Sequence, residues 1–299
     1  MRMMCHAGTV TTSGDIDGVR HGSVHGLDAI VVETPHSTAA ISVFGGQVLS
    51  FTPAGAGEDV LWVSPLVKSP PTPIRGGIPV CWPYFAREGQ GRDVPSHGYA
   101  RTARWALIAG GRTDSGDCEL EFAPEGLDHL RLELRMTVRV GATLEHGLHT
   151  HNPGAEPVSM TEAFHNYFRV SDVSSVRVSG LDGLSYLDQF DDMRSHPQHG
   201  DWMLPREDGR SDRVYPGAGG VYRIVDPGLR RAIEVSVRGG RSAVVWNPGE
   251  DGAAGMTDVG PHWRDFVCVE AANVGPDVVE VPAGADHSLW QTISVTTIE

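Results

Sequence analysis

Apolar and polar residues alternate over short stretches along most of the chain. The period is two, which belongs to strands, rather than the 3.6 of an amphipathic helix. Segments 29–33, 39–44, 48–51, 118–122, 130–140 and 142–151 carry it in the first half. Segments 174–178, 220–225, 231–237, 242–246, 265–270 and 287–298 carry it in the second. Glycine, proline, aspartate and asparagine punctuate these runs, and 37 glycines and 20 prolines supply many turns. Many short strands joined by frequent turns predict an antiparallel sandwich or barrel and argue against βαβ units. Two stretches break the alternation: 64–101, rich in Pro and Gly, and 182–219, polar and rich in Asp. Long irregular segments in a compact fold tend to carry function. No internal repeat, low-complexity tract or linker divides the 299 residues, so the pattern predicts one all-β domain, with a poorly defined N-terminal segment over 1–25.

Composition narrows the function classes. A hydrophobic fraction of 40% and a charged fraction of 21% suit a globular protein with a substantial core. No run approaches the ~18 apolar residues of a membrane span. Residues 1–18 hold no apolar stretch that would make a signal peptide, so a cytoplasmic location is expected. The net charge of -14 repels nucleic acid and anionic membranes, and neither is expected as a partner. A small anionic ligand stays compatible, because a few local arginines outweigh the mean field at short range. Cys5, Cys81, Cys118 and Cys268 lie far apart and form no CxxC pair, so neither a zinc knuckle nor a disulfide framework is indicated. Cys81 and Cys268 lie among apolar residues and read as buried thiols.

Several polar residues sit where chemistry could use them. His165 lies in Met160-Thr-Glu-Ala-Phe-His-Asn-Tyr-Phe-Arg169, apolar and aromatic on both sides. Desolvation lowers an imidazole pKa from about 6.5 and a nearby carboxylate raises it, so the group stays suited to proton transfer. Taken alone, it reads more readily as a hydrogen-bonded core residue. Glu270 ends the apolar run Asp265-Phe-Val-Cys-Val-Glu270, where a carboxylate needs either a structural arginine partner or a functional reason. Arg75 opens a Gly-Gly-Ile-Pro loop, and His97 and Arg101 share a second loop. The two glycines would let the backbone approach a ligand. The guanidinium groups suit phosphate oxygens, or simply pair with acidic loops. His149 and His151 share a strand face but lack further ligands in a recognised pattern, so no metal is expected. The stretch His196-Pro-Gln-His199 reads as a polar loop.

The motifs Arg75-Gly-Gly-Ile-Pro-Val-Cys-Trp-Pro83, His97-Gly-Tyr-Ala-Arg101, Thr161-Glu-Ala-Phe-His-Asn-Tyr-Phe168, Asp212-Arg-Val-Tyr215, Val244-Val-Trp-Asn-Pro248 and Val267-Cys-Val-Glu-Ala-Ala-Asn273 stand in one order along the chain. That order resembles the hexose-6-phosphate mutarotases, the glucose-6-phosphate 1-epimerase branch of the aldose 1-epimerase superfamily. The resemblance implies a large antiparallel β-sandwich of the galactose-mutarotase type with an open sugar cleft on one sheet. It implies that His165 and Glu270 are the catalytic acid–base pair, that Arg75 and Arg101 hold the anionic substrate, and that Asp212 binds sugar hydroxyls. His97 falls in the same binding motif. Ser96 stands where the family commonly has a glutamine that contacts substrate, which leaves the sugar specificity open. Phe164 and Asn166 stand where it usually has Leu and Thr. The implied reaction opens and recloses a sugar ring by proton transfer and requires no cofactor. Trp82, Tyr84 or Trp246 could stack on the sugar, or be core. Two other readings remain: a mutarotase for unphosphorylated aldoses, which would need no arginine pair, and a non-catalytic sugar-binding or regulatory protein on the same fold.

Overall fold

The computed structural model describes residues 16–205 and 209–299. Cys5 lies outside the described residues, as does nearly all of the N-terminal stretch read as lacking a signal peptide.

Two eight-stranded antiparallel sheets carry the fold. In spatial order, the first runs Arg194–Pro197, Ser185–Asp188, Ser211–Pro216, Ser242–Asn247, Phe266–Asn273, Glu162–Phe164 and Val80–Cys81, with Tyr167–Arg169 also paired to Phe266–Asn273. The second runs Arg177–Ser179, Val221–Asp226, Arg231–Arg238, Asp286–Thr297, Leu144–His151, Glu133–Val140, Cys118–Pro124 and Trp105–Arg112. A four-stranded sheet, Val19–Val24, Leu27–Glu33, Ser37–Ser42 and Val48–Pro53, packs beside them. The architecture is an antiparallel β-sandwich, as the alternation predicts. One short α-helix, Gly249–Ala254, and several 3₁₀ turns are the helical elements among the described residues. None of them is long and apolar enough to cross a membrane.

The core lies between the large sheets. Phe164, Phe168, Leu148, Ile233, Leu289 and Ile293 are fully buried there, and the His146 ring stacks on Phe164 at 4.0 Å. Burying such side chains contributes about 1.5–3 kcal/mol each. The other face of the first sheet is the one that matters for function. Because side chains alternate along a strand, residues 163, 165 and 167 share that face with 268, 270 and 272 across the register. Val244 lies opposite Glu270, and Trp246 opposite both Cys268 and Asp212. Ala163, Ala272, Val244 and Val214 form a small-residue floor there with Cys81 and Phe85.

Three expectations change. The polar stretch 182–219 contains strands Ser185–Asp188, Arg194–Pro197 and Ser211–Pro216. Ser185–Asp188 and Arg194–Pro197 lack the apolar alternation because neither strand buries a residue, and Ser211–Pro216 lacks it because its buried positions, Ser211, Val214 and Tyr215, do not fall on alternate residues. The segment expected to be poorly defined over 1–25 already contains the strand Val19–Val24, whose outward residues hide its hairpin with Leu27–Glu33. His196 sits on an edge strand, with its Nε2 2.9 Å from Asp191 Oδ2, rather than in a loop. The 64–101 stretch is largely irregular, as expected, with only Val80–Cys81 as a strand and a 3₁₀ turn beginning at Ala100.

Candidate functional site

His165 and Glu270 meet on the open face, with His165 Nε2 3.4 Å from Glu270 Oε1. The Glu270 side chain is 1% exposed and the His165 side chain 12%. Neither Glu270 oxygen has a hydrogen-bond partner, and nor has His165 Nδ1. A buried carboxylate without donors is costly, which separates this pair from an ordinary structural ion pair. Burial, and then the charge of Asp212, pushes the Glu270 carboxyl well above the usual carboxylate range. Burial first, and then its neighbours His97 and the guanidinium groups of Arg75 and Arg101, pushes the His165 imidazole well below its ordinary value. Both shifts run in the direction that favours the uncharged form of each group.

The surroundings fix the imidazole plane. The Tyr167 ring lies parallel to it at 4.8 Å and 7°, and Trp246 meets it edge-on at 5.9 Å. Tyr167 was not among the residues singled out in the sequence. Its signal was available: it stands two residues past His165, the spacing that puts side chains on one face of an extended segment.

The two arginines differ. Arg75 Nε donates to Asp258 Oδ2 at 3.1 Å and its Nη1 to the Tyr167 hydroxyl at 2.9 Å. Arg101 is half-buried and, among the described residues, has no carboxylate partner. Burial is the largest cause lowering its pKa, with Arg75 and Arg87 lowering it further against the opposing effect of Cys81 and Tyr167. The structural alternative for the arginines, pairing with acidic loops, thus holds for Arg75 and not for Arg101.

His97 is shaped by its loop. Its backbone has φ +63°, in the left-handed region that non-glycine residues seldom adopt. The Ala86 backbone holds it from two sides: His97 N–H donates to the Ala86 carbonyl at 2.6 Å, and the Ala86 N–H donates to His97 Nδ1 at 3.2 Å. Nδ1 is therefore an acceptor, and the proton of the neutral ring sits on Nε2, free to donate to a ligand. Burial, with Arg101 and Arg75 adding to it, lowers this ring's pKa to about 3, so it stays neutral. Its centroid is 5.7 Å from that of His165. Gly98 follows with φ +74°, and a Cβ there would overlap the Trp82 carbonyl. Gly76 and Gly77 serve a purpose different from the one expected. Their Cβ positions are filled by the backbones of residues 62–63 and 48, so they admit neighbouring strands rather than a ligand.

Asp212 lies one strand beyond Trp246 on the same face, and its charge reaches Glu270. Burial, and then Asp188, raises its pKa to about 7. Ser96 is half-buried beside His97 and makes no side-chain hydrogen bond among the described residues. Trp82 is core: it is fully buried, and its Nε1 donates to Thr150 Oγ1 on the second sheet at 2.9 Å. Tyr84 is also buried. Trp246, half-buried on the open face, is the aromatic beside the His165–Glu270 pair. Cys81, Cys118 and Cys268 are free, buried thiols. His149 hydrogen-bonds Thr137 and Ser288, and His151 hydrogen-bonds Asp286.

The face thus brings together an unpartnered carboxyl and imidazole, an unneutralised guanidinium, a ring N–H donor and an aromatic wall. The family profile described as "Aldose 1-epimerase" matches residues 28–294. A "Putative glucose-6-phosphate 1-epimerase" of Salmonella typhimurium is 35% identical over 255 residues, 82% of each chain. A solved structure of a "putative mutarotase" from Salmonella typhimurium superposes with TM-score 0.82 at 32% identity, covering 93% of this chain and 94% of that one. A galactose mutarotase-like protein of Clostridium acetobutylicum, 13% identical, shares the fold with TM-score 0.68 over 94% of this chain and 98% of its own. Fold, ordered motifs and relatives agree: the chain belongs to the aldose 1-epimerase family.

Proposed function

We propose that the protein interconverts the α and β anomers of a hexose 6-phosphate, with Glu270 and His165 as the proton-transfer pair. The observation that carries this reading is the buried His165–Glu270 pair, with Glu270 Oε1 3.4 Å from His165 Nε2 and neither carboxyl oxygen hydrogen-bonded. A sugar seated over it would present its anomeric hydroxyl to Glu270 and its ring oxygen to His165.

Glu270, ionised, takes the proton from O1 while His165, protonated, delivers one to O5. The C1–O5 bond breaks as the C1=O1 bond forms. Rotation about C1–C2 turns the aldehyde, and the two groups reverse roles as O5 closes on the other face. The ring-opened stage has the proton on Glu270 and a neutral His165, the direction in which burial shifts both groups. Substrate binding supplies the opposite bias. A phosphate beside Arg101 and Arg75 offsets the positive field that depresses His165, and sugar hydroxyls donating to Glu270 stabilise its carboxylate. Each positioned group contributes about 10²–10⁴-fold.

The unneutralised Arg101 supports an anionic substrate in a chain of net charge -14. His97 Nε2–H is a second donor toward it, Asp212 is suited to sugar hydroxyls, and the Trp246 ring is suited to an apolar sugar face. Ser96 extends the loop with a hydroxyl shorter than the glutamine of the resembling family. Polarimetry on glucose 6-phosphate, glucose, galactose and mannose tests the reading. Faster mutarotation of the phosphorylated sugar supports it, whereas equal acceleration of free aldoses removes the phosphate assignment.

A further inference from the structure

The strand that carries His165 is interrupted at that residue. Glu162–Phe164 and Tyr167–Arg169 both pair with Phe266–Asn273, with Phe164 opposite Ala271 and Tyr167 opposite Cys268. Continuing this single register sets His165 opposite Glu270 and Asn166 opposite Val269. At those positions the ladder is open. The His165 N–H donates to the Pro79 carbonyl at 3.0 Å, and the Asn166 N–H to the Phe164 carbonyl at 3.0 Å. Neither bond crosses to the Glu270 strand.

A side chain crosses instead. Asn166 Nδ2 donates to the Val269 carbonyl at 2.9 Å and to Gln291 Oε1 at 2.8 Å. Gln291 Nε2 donates back to Asn166 Oδ1 at 2.9 Å. Gln291 lies on Asp286–Thr297 of the second sheet. Asn166 is fully buried and Gln291 is 1% exposed. Both Asn166 amide hydrogens are used, so the network is closed. A threonine at this position would offer a single donor and could not make both bonds.

We propose that the reciprocal Asn166–Gln291 amide pair is a positioning device for the acid–base pair. It replaces the missing rung between the His165 and Glu270 strands and anchors that rung to the opposite sheet, which sets the His165–Glu270 separation. The proposal rests on reading those two residues as the proton-transfer pair. No hydrogen bond of their own holds the reacting ends of these side chains, so their spacing is inherited from the backbone on either side. A displacement of about 1 Å in such a pair can cost about 10²-fold in rate.

The test compares wild type with Asn166→Leu, Gln291→Leu and the double variant. It measures kcat and KM for glucose 6-phosphate anomerisation, thermal stability, and the imidazole NMR signals of His165. Each single variant leaves a buried amide unpaired and should lose stability, while the double variant should regain part of it. Under the proposal kcat falls about 10- to 100-fold in all three with KM changed less than about threefold. The His165 signals should shift or broaden, and kcat should stay low in the double variant. If kcat is retained, or recovers together with stability in the double variant, the pair is merely structural and the proposal fails while the mutarotase reading stands. If wild type itself accelerates no sugar, the mutarotase reading falls, and this inference with it.

Discussion

Replacing Arg101 with methionine keeps most of the aliphatic stem and removes the guanidinium. Among the described residues no carboxylate neutralises this group, so its loss exposes no unpaired acid. A charge-assisted hydrogen bond to a phosphate oxygen contributes about 1.5–3 kcal/mol. At about 1.4 kcal/mol per factor of ten, Arg101→Met should lower kcat/KM for glucose 6-phosphate by roughly 10- to 100-fold and leave glucose nearly unchanged. Arg75 should behave differently. Its removal strands Asp258, 3.1 Å away with a side chain only 15% exposed, and deprives the Tyr167 hydroxyl of its donor. Arg75→Met should therefore lose stability as well as phosphate preference, with part of the stability restored by adding Asp258→Asn. The assay is polarimetric kcat/KM on both sugars, read as a ratio. An Arg101→Met variant whose ratio equals that of wild type would refute the assignment. Where that unchanged ratio comes with an equal loss on both sugars, Arg101 is a structural residue of the cleft.

The raised pKa of Asp212 has a stability consequence. An acid whose pKa rises from 3.8 in the unfolded chain to about 7 in the fold destabilises the protein increasingly as pH climbs between those values. Asp212→Asn should flatten that decline in melting temperature across the same window; an unchanged profile would contradict the burial argument. Glu270→Gln removes a buried carboxyl whose pKa is also raised, so it should abolish activity while leaving stability at pH 8 equal to or above that of wild type. Trp246→Ala should raise KM more than it lowers kcat, since it removes a sugar-facing wall rather than a proton-transfer group. Gly98→Ala should cost on the order of 1–3 kcal/mol in chemical denaturation, because its φ of +74° and the Trp82 carbonyl both exclude a Cβ.

The strands buried on one face were legible in the sequence, because alternation records burial directly; Leu144–His151 and Asp286–Thr297 match their expected segments closely. The strands around the open face were not. Ser211–Pro216 carries Asp212 and Arg213 where a core strand would carry apolar residues. Glu162–Phe164 and Tyr167–Arg169 are three-residue pieces divided by the His165 gap. His165 and Glu270 each looked like a core residue in isolation, and ordered motifs, not spacing, brought them forward. Their mutual approach needs a register spanning 105 residues of sequence. Arg75 and Arg101 looked alike in sequence, and only the partner Asp258, far along the chain, separates a neutralised guanidinium from a free one. Trp82 and Trp246 were likewise equivalent until Trp82 turned toward Thr150 and Trp246 toward His165.

Exchange NMR on an equilibrium mixture of α- and β-glucose 6-phosphate tests the central claim most directly. Wild-type protein should give α–β cross-peaks at rates far above buffer. His165→Ala and Glu270→Gln, shown to be folded and to bind the sugar phosphate, should each return the rate to within about tenfold of the buffer value. Exchange that survives in either variant, or a wild type that binds the sugar without accelerating its exchange, would contradict the account.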